Sequence, residues 1–140
     1  MTDFTEVLRS SVNTWECDEM GHMNVRFYVH RSVDGLASYS QLIGLGPKKL
    51  NERSQILAIK EMHIRFHREM HPGTPFLMRA GVVEANTKSI RLFQEISNLM
   101  SGEVSATFVI DVSLTDQTSR KVVDIDSSLI EHLNGQLITL

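Results

Sequence analysis

The chain has 140 residues, one domain's worth, long enough to bury roughly two-thirds of its unfolded surface without covalent staples. Apolar residues at 41%, charged residues at 22%, 3 prolines and 8 glycines exclude a disordered or fibrous chain. A formal charge of −3 and a pI near 6.0 remove the simplest case for a nucleic-acid binder.

Glu6 to Asn13 reads as a short strand. Asn24 to Leu42 reads as a helix, because Val25, Val29, Val33, Leu36, Ser40 and Ile43 recur every three or four residues. Asn24 suits an N-cap and "GLGP" at 44–47 is a stop. Nineteen residues would span about 28 Å, enough to cross a sheet. Gly35 inside that helix costs about 1 kcal/mol against alanine and marks a close approach of the sheet.

Glu61 to Glu69 alternates as a strand, with Met62, Ile64 and Phe66 on one side and Glu61, His63, Arg65, His67 and Glu69 on the other. "HPGTP" at 71–75 punctuates. Further strands are expected over Phe76 to Glu84, Ile90 to Ile96 and Val104 to Leu114, with turns at Asn86–Thr87 and at 100–103. These four read as one antiparallel meander. Arg120 to Ile125 suits a last edge strand, and Ser128 with Glu131 has capping-box spacing for a short helix, Leu129 to Leu133. The predicted class is α+β, one domain over 1–140, with one long helix wrapped by a curved antiparallel sheet of five or six strands. Pairing open sheet edges across a two-fold axis removes an edge liability.

Chemistry concentrates in "TWECDEMGHMNVRFY", residues 14–28, which holds Asp18, Gly21, His22 and Asn24 where a strand feeds a helix N-terminus. The first N–H groups of a helix have no internal partner and carry partial positive charge. They can hold a carbonyl oxygen as it gains negative charge. A carboxylate just upstream can attack that carbonyl or activate water. Gly21 lets backbone turn close to a ligand. Each residue also has a structural reading: Asp18 as a turn cap, His22 as a satisfied structural histidine, Asn24 as an N-cap, Tyr28 as core. Cys17 is a free thiol or a small apolar residue. As a nucleophile it is disfavoured, because Asp18 beside it opposes thiolate formation.

The pattern Asp18, Gly21, His22, Asn24 and Tyr28, D-x-x-G-H-x-N-x-x-x-Y, resembles the signature loop of hotdog-fold acyl-CoA thioesterases of the 4-hydroxybenzoyl-CoA thioesterase type. The order of elements is similar over nearly the whole chain. The resemblance implies hydrolysis of an acyl-CoA thioester without cofactor or metal. Asp18 matches the family's catalytic aspartate, nucleophile or general base. Val25 falls where the family polarises the thioester carbonyl with a backbone N–H. Asp18 and His22 keep the four-residue spacing of plant acyl-carrier-protein thioesterases, which place an asparagine midway; Met20 stands there in this chain. Asn24 and Tyr28 match positioning residues. The strand carrying Glu61 and His63 can line the pocket in the family, which makes both candidates for substrate contact. The family also implies a homodimer with a shared sheet, or a dimer-of-dimers tetramer, with the site between subunits.

His63, His67 and His71 are spaced by four. On a helix they would share a face and suit a metal. On a strand His63 and His67 sit about 13 Å apart. Lys88, Arg91, Lys48, Lys49 and Arg79 are available for the phosphates of coenzyme A, and the sequence does not choose among them. Two other readings keep the fold: an acyl-CoA hydratase or dehydratase, and a non-catalytic acyl-CoA-binding protein. The first uses a differently placed histidine-rich motif that "GHMN" and "HPGTP" do not match. With no basic and apolar leader in "MTDFTEVLRSS" and no run of ~18 apolar residues, the expectation is a cytoplasmic protein with neither membrane nor nucleic-acid partner.

Overall fold

A computed structural model describes residues 4–140. The elements in chain order are β1 (Thr5–Ser11), a 3-10 turn (Thr14–Glu16), α1 (Val25–Leu42), α2 (Pro47–Glu52), β2 (Gln55–Phe66), β3 (Pro75–Ala85), β4 (Ile90–Asn98), β5 (Val104–Asp116), β6 (Val122–Val123) and α3 (Ser127–Asn134). The strands form one six-stranded antiparallel sheet in the order β1-β3-β4-β5-β2, with β6 paired to the end of β5. Register shifts interrupt four of the ladders, and such bulges add twist and bend to a sheet.

Four expectations need correction. The meander holds for β3, β4 and β5 only. β2 crosses to the far edge and pairs along Ala106–Asp116 of β5 rather than with β3. Alternation fixes which residues share a face; it says nothing about the neighbouring strand. β2 also starts six residues earlier than the reading of Glu61 to Glu69 and ends at Phe66. "GLGP" stops α1 but its proline opens α2, at the first helical position where a missing N–H costs nothing. The cap of α3 is Asp126, whose carboxylate accepts from Ser128 N, and not Ser128.

α1 begins at the expected place, but its buried face is rotated from the apolar stripe. Tyr28, Ser32, Gly35, Leu36, Tyr39 and Ser40 are buried, while Val25 and Val33 are 55% and 45% exposed. Small residues let the helix settle onto the sheet. A Cβ on Gly35 would stand 2.2 Å from Met78 Sδ, in a fully buried side chain. Beside it, Ser32 Oγ donates to Gln94 Oε1 at 2.5 Å, and Gln94 Nε2 returns a bond to Ser32 O at 3.0 Å. Both polar groups are buried and satisfied, so they cost little and fix the helix over one row of the sheet. Around them Met78, Ala80, Val82, Leu92, Ile96, Phe108 and Ile110 close one core. Gly35→Val is expected to overpack that contact and lower stability by about 1–3 kcal/mol, read as a drop in the urea midpoint.

Candidate active site

The segment between β1 and α1 is a closed loop. Asn24 N donates to Glu16 O at 2.8 Å, Asp18 N to His22 O at 3.0 Å, and Gly21 N to Asp18 O at 2.9 Å. Gly21 holds φ +79°, a conformation that L side chains rarely adopt. Met23 N donates to Met70 O at 2.9 Å, which lays the loop against the segment that follows β2.

Arg31 clamps the base of this loop. Its guanidinium donates twice to the Glu16 carboxylate, at 2.8 and 2.9 Å, and reaches Ser10 Oγ and Ser11 O at 3.2 and 3.1 Å. Glu16 is 2% exposed. Burial acts to raise its pKa, but hydrogen bonds from Arg31 and Asn13 N–H, with the Arg31 charge, outweigh that and hold the carboxyl below its ordinary value. The end of β1, the turn and the helix start are thus tied to a single carboxylate.

Asp18 Oδ1 accepts from Met20 N at 3.0 Å and, more weakly, from His22 N at 3.5 Å. Oδ2 has no hydrogen-bond partner among the described residues. At the start of α1, Phe27 N and Tyr28 N go to Asn24 O, and Arg26 N goes to Asn24 Oδ1 at 2.9 Å. Asn24 is therefore the N-cap. Val25 N–H, the first amide of the helix, has no acceptor among the described residues. Asp18 and Val25 both line one cleft of about 380 Å³. One wall is Asp18, His22, Met23, Asn24, Val25 and Tyr28; the other is Phe66, His67, Arg68 and Glu69. Such a cleft can set a carbonyl between an anionic oxygen and a free amide.

Tyr28 is in the cleft but its hydroxyl is engaged. Ser105 Oγ donates its one proton to Arg68 O at 2.7 Å, so Tyr28 OH donates to Ser105 Oγ at 2.9 Å. Burial pushes the Tyr28 phenol above its ordinary pKa. Through that bond the tyrosine ties its wall of the cleft to the opposite one. Cys17 is half-buried, and burial, with the charges of Asp18 and Glu16, raises its thiol pKa. It stays a thiol, as the sequence suggests.

The structure brings Asp18, His22, Asn24, Val25 and Tyr28 together, with Gly21 at the turn of their loop. It does not bring in Glu61 and His63, which pair with each other at 2.6 Å on the exposed face of β2. His63 borders a separate depression with Arg65, Phe93 and Thr107. His67 lies past the strand's end, where its Nε2 meets Thr107 Oγ1 at 3.1 Å. Of the basic residues, Lys88 pairs with Asp124, Arg91 with Asp111 and Arg79 with Glu95. Lys48 and Lys49 sit on α2, at the opposite end of α1, about 27 Å of helix from Val25. Missed in the sequence were Glu69, which pairs with His22 at 3.0 Å, and His71, whose ring packs edge-on to His22 at 5.1 Å. No local pattern announces either, because both act across the contact of two loops.

Known structures share the whole architecture. A Staphylococcus aureus protein solved in complex with CoA superposes with a TM-score of 0.88 at 18% identity, over 100% of this chain and 89% of that one. A DHNA-CoA thioesterase from Staphylococcus aureus gives 0.83 at 14% identity, over 98% and 97%. A 1,4-dihydroxy-2-naphthoyl-CoA thioesterase from Synechocystis gives 0.79 at 15%, over 94% and 98%. Among curated proteins no sequence matches. The model of the thioesterase-like superfamily matches residues 12–133, and the chain belongs to that family as a hotdog-fold thioester hydrolase.

Proposed function

We propose that the protein hydrolyses an acyl-CoA thioester to a free acid and coenzyme A. The observation that carries this reading is that Asp18 and Val25 line one cleft, with Asp18 Oδ2 and Val25 N–H both free of hydrogen-bond partners among the described residues. Asp18 either attacks the thioester carbonyl carbon or takes a proton from the water that does. The carbonyl oxygen becomes an oxyanion and accepts from Val25 N–H, aided by the positive end of α1. The C–S bond then breaks and coenzyme A leaves as thiolate. On the base route the proton taken from water returns to sulfur; on the nucleophilic route a water hydrolyses the acyl–Asp18 anhydride, regenerates the carboxylate and supplies that proton. Carboxylate, amide and water balance the reaction, so no cofactor enters it. His22 shares the cleft with the reacting groups. Asn24 and Tyr28 hold its two walls. The choice of a CoA ester is supported by what the neighbouring structures are named for: a complex with CoA and two CoA thioesterases.

The test separates hydrolysis from hydration on the same fold. A saturated acyl-CoA and its 2-enoyl counterpart are incubated with the protein, and free thiol is titrated. Thiol release from the saturated ester is expected. Consumption of the enoyl ester without thiol would overturn the reading.

We further propose that the working unit is a homodimer joined along β2. Twelve residues long, this strand pairs only with β5 among the described residues, which leaves its other edge open. Beside it lies an apolar groove of about 340 Å³ between α1, α2 and β2, which includes Val33, Ile56 and Ile59. A second copy paired through a two-fold axis covers both. We keep Glu61 and His63, on the same strand, as substrate contacts made across that interface. Sedimentation is expected to give twice the 15.9 kDa chain mass, or four times for a dimer of dimers, and a monomer at micromolar concentration would contradict it.

A further inference from the structure

We propose that Glu69 is a positioning residue of this site: its carboxylate holds the His22 imidazole in the tautomer with a proton on Nε2 and leaves Nδ1 as a proton acceptor in the Asp18 cleft. This rests on the proposed thioester hydrolysis and deepens it.

The geometry is specific. His22 Nε2 and Glu69 Oε2 stand 3.0 Å apart, and both residues line the cleft that holds Asp18 and Val25. Glu69 belongs to no helix or strand, yet its backbone is fixed on both sides. Arg68 O accepts from Ser105 Oγ, which Tyr28 orients, and Met70 O accepts from Met23 N. The two anchors aim the side chain between them at the catalytic loop. His71 packs edge-on against His22 and restrains the ring a second time. The titratable and charged groups that face His22 are Asp18 in its own loop and His67, Arg68, Glu69 and His71 opposite.

A neutral imidazole has one proton and two nitrogens to carry it. A carboxylate at one nitrogen selects the tautomer that donates to it and makes the other a better acceptor. Here the acceptor is Nδ1. Because His22 and Asp18 line the same cleft, this free nitrogen is available to receive a proton from the attacking water, directly or by way of Asp18, and to deliver it to the coenzyme A thiolate after the C–S bond breaks. The sum is one water and one thioester consumed, one acid and one thiol formed.

The role separates cleanly from folding. The Glu69 side chain is 66% exposed, and an exposed pair contributes little to stability. Glu69→Gln is therefore expected to keep Tm and the KM for acyl-CoA while kcat falls about 10–100-fold, the scale at which partners of functional histidines act. Glu69→Asp should recover part of the loss. In a His22→Ala background, Glu69→Gln should cost nothing further, because the two act as one unit. Imidazole 15N NMR gives a readout independent of turnover. The expected result is His22 protonated at Nε2 in the wild type and a mixed tautomer in Glu69→Gln. Unchanged kcat and unchanged His22 nitrogen shifts in Glu69→Gln would overturn the proposal, as would a full additional loss in the His22→Ala background. Should the wild type release no thiol from any acyl-CoA, it is the proposed function that fails. The NMR result alone then decides on Glu69, and an Nδ1-protonated His22 overturns it.

Discussion

The Asp18→Asn variant is expected to fold like the wild type and to release coenzyme A about 10²–10⁴-fold more slowly. The substitution is chosen because Asp18 has two jobs. Oδ1 closes its turn by accepting from Met20 N, and an asparagine oxygen can accept the same bond. What asparagine lacks is the negative charge, and with it the nucleophile or base. Asp18→Ala removes both jobs. It should show the same loss of turnover plus about 0.5–2 kcal/mol of destabilisation, the usual cost of removing a side-chain cap from backbone N–H groups. Thiol release and Tm, measured side by side on the three proteins, separate the roles. Unchanged turnover in Asp18→Asn sinks the assignment of Asp18.

The largest effect on stability is expected at Arg31. Arg31→Leu strands the Glu16 carboxylate, 2% exposed, without its cation. Breaking one side of a buried pair costs about 3–5 kcal/mol. For a chain of this size that is a fall in Tm on the order of 10 °C. Activity should fall as well, because Glu16 O holds the Asn24 amide and so sets the start of α1. Replacing both partners by apolar residues, Glu16→Met with Arg31→Leu, should recover much of the stability, since no charge is left buried. The same pair predicts an acid-sensitive limb. The folded-state pKa of Glu16 is lowered, so its contribution is present above the ordinary value of 4.5 and is lost as pH falls through the lowered one. Glu16→Gln should remove that component from a plot of unfolding free energy against pH. A plot that keeps the same acid limb contradicts the sign.

The loop from Asp18 to Asn24 was legible in the sequence because its chemistry is local. An N-cap and a turn glycine within a few residues have few arrangements, and the structure has Asn24 capping α1 and Gly21 at positive φ. The existence and start of α1 were legible for the same reason. Its inward face was not. Counting apolar residues favoured Val25 and Val33, whereas the sheet selected Ser32, Gly35 and Ser40, which allow close approach. A hydrophobic stripe reports all apolar contacts of a helix, and the exposed side of this one borders the open edge of β2. The crossover of β2 was hidden because pairing partners are non-local. Glu69 was hidden for a related reason. Read as the end of an alternating strand, it became one more polar residue, while the strand in fact ends at Phe66 and the chain brings Glu69 to His22 in the loop before α1.

The most direct measurement is a time course of purified protein with a panel of saturated acyl-CoA esters, in which free thiol and free carboxylic acid are both quantified. Equal amounts of the two are expected, formed catalytically, with a turnover number in the range of about 1–10³ s⁻¹ for the preferred ester. Acyl-CoA that is bound yet stays intact across the panel would contradict it.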